Sequence, residues 1–215
     1  MKSRGGVRRG FSRLSDRVGA SSGATIFMGK SYRTSQTVTV PKDGTYSIGV
    51  WGKGGNGGGG FTVSGGSGGF CSKTLDLLAG TAIVITISTT STQVTVAGFT
   101  LTATAGNRSS AGTASGGDIN LNGTSGAGSG PGTDGKGDNP GIGGTTFDPY
   151  AGGAGAPGSG IFQGGDGGAG TPGTNATPAC AGGTPGGGGG ELNANSGDAA
   201  PGGAAQVTIF GLGAP

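Results

Sequence analysis

From about Ala105 to Gly203 roughly a third of the residues are glycine, after which the chain returns to an alternating, β-branched run, Gln206 to Phe210. A disordered tail has no reason to end that way, so the glycine block reads as a long insertion held at both ends by folded β-structure. Glycine loses more conformational freedom on ordering than any other residue and brings no side chain to bury. Such an insertion folds only if its backbones pack on one another. With 58 glycines and 10 prolines in 215 residues the hydrophobic content is 31%, against about 45–50% in ordinary domains. Most of it clusters between Val38 and Leu101, enough for one compact β-unit.

The net charge of +3 hides a split. Residues 1–35 hold eight basic residues against Asp16 alone, a local +7, while the remainder sums to −4. Arg4, Arg8, Arg9, Arg13 and Arg17 are the anchoring candidates of this basic arm, which suits an acidic protein surface or nucleic acid; a merely solvated terminus is the alternative. Val7, Phe11, Leu14 and Val18 recur every three or four residues, a spacing that would form one short amphipathic helix on a partner. No stretch approaches the roughly 18–20 apolar residues of a membrane span, and the basic start lacks the apolar segment of a signal peptide. Synthesis in the cytosol without a membrane span is therefore expected. Cys71 and Cys180 follow no metal-ligand spacing and read as free thiols packed as small apolar residues.

From Thr37 the hydrophobic period is two. TVTV at Thr37 to Val40, a turn at Pro41 to Gly44, and Tyr46, Ile48 and Val50 leading to Trp51 predict a hairpin with Trp51 in the core. Further strands are predicted at Phe70 to Leu78, Ala82 to Ser88, Gln93 to Ala97 and Phe99 to Ala105. The expected fold is mainly β: a small antiparallel β-sandwich or jelly-roll-like unit over 36–105, closed by a strand within 204–215, with a basic arm at 1–35 and a glycine-rich lobe at 106–203.

Within the lobe Gly152, Gly155, Gly158, Gly164, Gly167, Gly170 and Gly173 share one three-residue register. Collagen demands an unbroken repeat, which Gly187 to Gly190 violates, whereas a left-handed extended helix of about three residues per turn fits the spacing. That helix has no internal hydrogen bonds. Several must lie side by side to satisfy one another's N–H and C=O groups, which glycine permits by letting backbones approach closely. Breaks at Pro131, Pro140, Pro157, Pro172, Pro185 and Pro201 would separate the rods of such a bundle. An ordered bundle and a disordered lobe both remain open at this point.

The segment TVTVPKDGTYSIGVWGKGGNGGGG resembles the entry to glycine-rich domains of phage tail and spike proteins and of the extracellular region of the anaplastic lymphoma kinase family. The resemblance continues through GGSGGFCSKTLDLLAGTAIVITI and the closing PGGAAQVTIF, so it covers about residues 36–210. It implies polyglycine-II-like helices packed in a lattice and, as in tail-fibre adhesins, host-binding loops at the lattice end. Those loops do not align onto this chain, and residues 1–35 match nothing in the family.

Motifs that would carry chemistry fail on their context. Gly52, Gly54 and Gly57 satisfy GxGxxG after a strand, but the GGGFTVSGG that follows cannot start the helix a dinucleotide needs. ATIFMGKS at Ala24 to Ser31 fits a relaxed phosphate-loop pattern, yet Ile26, Phe27 and Met28 are too bulky for a phosphate cradle. The chain has no His, which removes the commonest general base and metal ligand. Asp134, Asp138 and Asp148 sit in loop sequence without the spacing of a calcium site. No catalytic residue, metal or cofactor is expected.

Phe147, Tyr150 and Phe162 are the only aromatic residues of the lobe. They are the candidate receptor-binding residues if they stand on exposed loop tips; packing against the β-unit is the alternative. The expectation is a non-enzymatic virion protein, a fibre-tip or spike adhesin that binds a host cell-surface receptor. Its partners would be other virion proteins and further copies of itself. A capsid- or connector-associated protein, anchored by its basic arm to the shell or to packaged nucleic acid, is the alternative.

Overall fold

The computed structural model describes residues 26–58, 64–128, 130–145, 152–168, 181–190 and 200–212. Ten strands form among them: β1 (Ile26–Tyr32), β2 (Gln36–Thr39), β3 (Gly44–Trp51), β4 (Phe70–Leu77), β5 (Ala82–Ile87), β6 (Ser91–Val96), β7 (Phe99–Thr104), β8 (Ala114–Ser115), β9 (Ile119–Leu121) and β10 (Gln206–Leu212). They make two five-stranded antiparallel sheets packed as a sandwich, ordered β1-β10-β3-β4-β9 in sheet A and β2-β5-β6-β7-β8 in sheet B.

Alternation along the strands fills the space between the sheets. Tyr46, Ile48, Val50, Cys71, Val207 and Ile209 of sheet A meet Ile83, Ile85, Val94, Val96 and Leu101 of sheet B, and all are buried. Each large apolar side chain so placed contributes about 1.5–3 kcal/mol. Between β6 and β7 a two-residue turn puts Ala97 at φ 48° and Gly98 at φ 82°. That left-handed pair matches the twist of the two strands and fixes their register, Val96 opposite Phe99.

Two sequence expectations are corrected. Thr37 to Trp51 is not a hairpin: β2 lies at the edge of sheet B beside β5, and β3 runs through the middle of sheet A between β10 and β4. The Val40 N–H donates to Thr81 O and its carbonyl accepts from the Gly80 N–H, so the ladder of β2 is taken by sheet B. Pro41, which has no N–H, then releases the chain to cross between sheets. Second, residues read as the end of the basic arm form β1, which pairs with β10 and buries Tyr32. β8 and β9, inside the range assigned to the glycine lobe, extend sheets B and A.

The outer face of sheet A changes character along β3. Toward its start Thr45 donates to Asp76 Oδ1 at 2.6 Å, and Ser47 pairs with Thr74 at 2.9 Å. At its end Trp51 lies against Phe70, ring centroids 4.8 Å apart, and both are buried with Ala156 and Phe162 in a second apolar cluster. Trp51 is therefore a core residue, but of this outer core. Its indole N–H donates to the Pro157 carbonyl at 2.9 Å, tying the glycine-rich segments to the sheet.

Candidate functional site

Beyond Trp51 the chain leaves the sheet and runs outward and back several times, and its hydrogen bonds follow a different rule. In a β-strand successive N–H groups point alternately to two neighbours. Along 64–69 they rotate through three. Ser64 and Ser67 donate to Ala127 and Thr124, Gly65 and Gly68 to Gly189 and Gly186, and Gly66 and Gly69 to Asn107 and Thr104. Every third residue returns to the same neighbour three residues further back.

The segment 152–158 repeats the arrangement. Gly152, Gly155 and Gly158 donate to Gly130, Thr133 and Lys136; Gly153 and Ala156 donate to Gly168 and Gly165; Ala154 donates to Gly65. The register legible in the sequence is thus the face turned toward 130–136, and Gly164 and Gly167 continue it by donating to Asn139 and Ile142. Glycine is required by proximity: a methyl on Gly153 would overlap the Gly188 carbonyl, and one on Gly167 the Gly153 carbonyl.

Side chains as well as carbonyls accept backbone donors of the lobe. Asp134 Oδ1 accepts the Gly143 N–H at 2.7 Å, Asp166 Oδ1 the Ile142 N–H at 2.8 Å and Asp138 Oδ1 the Gly160 N–H at 2.8 Å. The Ser159 hydroxyl and then the Gly160 N–H hold the Asp138 carboxyl below its ordinary range. Asp134 and Asp138, weighed above as calcium ligands, serve this backbone role; Asp148 lies outside the described residues.

The candidate receptor residues separate. Phe162 is only 5% exposed, its ring 5.7 Å from Trp51 and 5.5 Å from Phe210, which corrects the expectation of an exposed tip. The cause lies in β3, where Gly49 leaves a vacancy in the outer face that the Phe162 ring fills. Phe147 and Tyr150 lie outside the described residues, as do Arg4, Arg8, Arg9, Arg13, Arg17 and Cys180. Lys30 and Ser31 of the rejected phosphate-loop pattern belong to β1, and Gly52, Gly54 and Gly57 to an outward-running extended segment.

That segment also carries residues the sequence reading passed over. Gly52 and Gly55 donate to Gly69 and Gly66, and Gly54 and Gly57 to Gly203 and Ala200. The third register is Lys53 and Asn56, whose N–H groups meet no acceptor among the described residues. Their face opens on a groove of about 500 Å³ walled by Thr89 and by Ala105 to Arg108. The signal was present in GKGGNGGGG, where the two residues with side chains stand three apart. A separate apolar cleft of about 420 Å³ lies between the open edges of the sheets, lined by Tyr32, Val38, Val40, Tyr46, Ile83 and Ile209. No protein-family model and no curated protein matches the chain.

Proposed function

We propose that this chain is a non-enzymatic structural protein of a bacteriophage virion, a fibre-tip or spike adhesin in which the sandwich carries a bundle of polyglycine-II helices. The observation that supports the bundle most directly is the rotation of the donors of 64–69 through three separate neighbours. A three-residue screw does that and a β-strand does not.

The layout has two poles. β1 begins at Ile26, opposite Leu212 and hence beside the Thr45 end of β3, at the end of the sandwich away from the lobe. At the other pole the extended segments end together: Gly57 is bonded to Ala200, Gly65 to Gly189, and Gly153 to both Gly144 and Gly168. Thr145 and Gly152, which flank the stretch holding Phe147 and Tyr150, are at this far pole. An adhesin needs an anchor at one pole and a host contact at the other. In this reading the arm binds other virion proteins, several copies assemble in the particle, and Phe147 and Tyr150 contribute to a host-surface contact.

Removing the chain from its particle tests the reading. Intact particles that no longer adsorb to the host are expected; failure of the shell or connector to assemble would instead make it a capsid-associated component. A crystal structure of the lobe tests the bundle independently. Residues 64–69 should have the backbone dihedrals of a polyproline-II-type helix, and the more extended dihedrals of a pleated strand would replace the helices with sheet.

A further inference from the structure

We propose that the groove over Lys53 and Asn56 is a binding site for an anionic glycan, a saccharide chain bearing carboxylate or phosphate groups. The inference rests on the groove and holds whether or not the chain is a virion adhesin.

The argument begins with the hydrogen-bonding groups that remain after the lobe has folded. The rod 52–57 satisfies two of its three donor registers on its neighbours and presents the third, the N–H groups of Lys53 and Asn56, to the groove. Asn56 Oδ1 is already occupied by the Gly202 N–H at 3.2 Å, and Asn107 Oδ1 by the Arg108 N–H at 2.7 Å. The NH₂ group of each amide meets no acceptor among the described residues and is left to a ligand. The exposed guanidinium of Arg108 adds donors on one side, and the half-buried Lys53 extends along the floor.

The groove continues past Lys53 into a hollow of about 430 Å³ that reaches Arg33, Ser88 and Gly202. Arg33 spends one N–H on Gln206 Oε1 at 3.2 Å. Three cations thus follow one concave path, none paired with a carboxylate among the described residues; the ion pair found there, Lys73 with Asp118, belongs to β4 and the turn before β9. Among the described residues no acidic side chain lines either hollow.

A ligand for this surface must supply acceptors and negative charge. Both hollows have the volume of ordinary small-ligand sites, about 300–1,000 Å³. Nucleic acid would supply phosphates, but single strands gain much of their affinity by stacking bases on aromatic rings, and no aromatic side chain among the described residues lines the path. Amide NH₂ groups and the Thr89 hydroxyl suit sugar hydroxyls, and the cations suit acidic substituents spaced along a chain.

Calorimetric titration of the full chain with hexagalacturonate, phosphorylated maltohexaose, unmodified maltohexaose and oligothymidylate tests the site. Saturable binding of one or both acidic saccharides is expected, and which of them binds tells carboxylate from phosphate. The affinity should fall as salt rises from about 50 to about 300 mM. Lys53→Gln and Arg108→Gln should each weaken binding about tenfold, while Lys136→Gln, on the exposed lobe surface, leaves it unchanged. Both substituted side chains reach solvent, and if one variant does not fold the other carries the test. Equal binding of neutral maltohexaose, tighter binding of oligothymidylate, no saturable binding of either acidic saccharide, or wild-type affinity in a folded Lys53 or Arg108 variant would each overturn the assignment.

Discussion

The sandwich and the glycine lobe are solutions to the same problem built from opposite materials. In the sandwich, backbone hydrogen bonds run in two directions within each sheet and side chains such as Ile48, Val94 and Leu101 hold the layers together. In the lobe the backbones of 64–69 and 152–158 bond in three directions, each to a separate neighbouring segment. Cohesion that comes from side chains is lost when a carbon is removed; cohesion that comes from backbone contact is lost when one is added. Shortening a buried side chain should therefore destabilise the sandwich, and lengthening one should destabilise the lobe.

The largest effect is expected where the regions meet. Trp51→Ala removes the centre of the outer cluster and the bond to Pro157, and should cost about 3–5 kcal/mol. Amide exchange in 152–168 and 182–189 should rise before that of β3 and β6. A uniform rise across both regions would show that sandwich and lobe unfold as one unit. Trp51→Phe, which keeps a ring and loses the hydrogen bond, should cost about 1 kcal/mol.

A smaller effect sharpens the contrast directly. Gly153→Ala adds one methyl group against the Gly188 carbonyl and should cost about 1–3 kcal/mol by denaturant titration. Val84→Ala removes two methyl groups from a side chain of β5 that is 42% exposed, and should stay within about 0.5 kcal/mol. If Gly153→Ala is silent, the segments are not close-packed and the account of the lobe fails.

The smallest effect reports on the sandwich alone. Cys71 lies between the sheets with its S–H directed at the Thr102 carbonyl, 3.6 Å away, and burial pushes its pKa from 9.0 up to about 12. The folded state thus prefers the neutral thiol. Its contribution to stability is present in full below pH 9 and is lost as pH rises toward about 12. At about pH 8 iodoacetamide should leave Cys71 unmodified in the native protein, as read by peptide mass spectrometry. Labelling at the rate of a free cysteine would mean that the sheets open readily and that the sandwich is the weaker region.

Much of the architecture was legible because it rests on local pattern. Alternation at Tyr46, Ile48 and Val50, in Ala82 to Ile87 and in Gln206 to Phe210 identified strands, since a period of two has one physical meaning on a pleated backbone. The three-residue register of Gly152 through Gly167 marked a face, and that face is the one bonded to 130–142. Sequence also determined that Trp51 is buried and that the last strand returns to the β-unit.

Which strands pair was decided only in three dimensions. Thr37 to Val40 looked like the partner of β3 because it is adjacent in sequence, but its hydrogen bonds belong to β5 across the other sheet. For Phe162 the sequence left an exposed loop tip and packing against the β-unit both open. The residue that buries it, Gly49, is more than a hundred positions away and speaks only when β3 is laid flat beneath the ring. Lys53 and Asn56 likewise became a site only when two faces of their rod were occupied and the third was not. Local periodicity is written in the order of residues, whereas the neighbour that completes a face comes from distant chain, and only the packed structure brings it there.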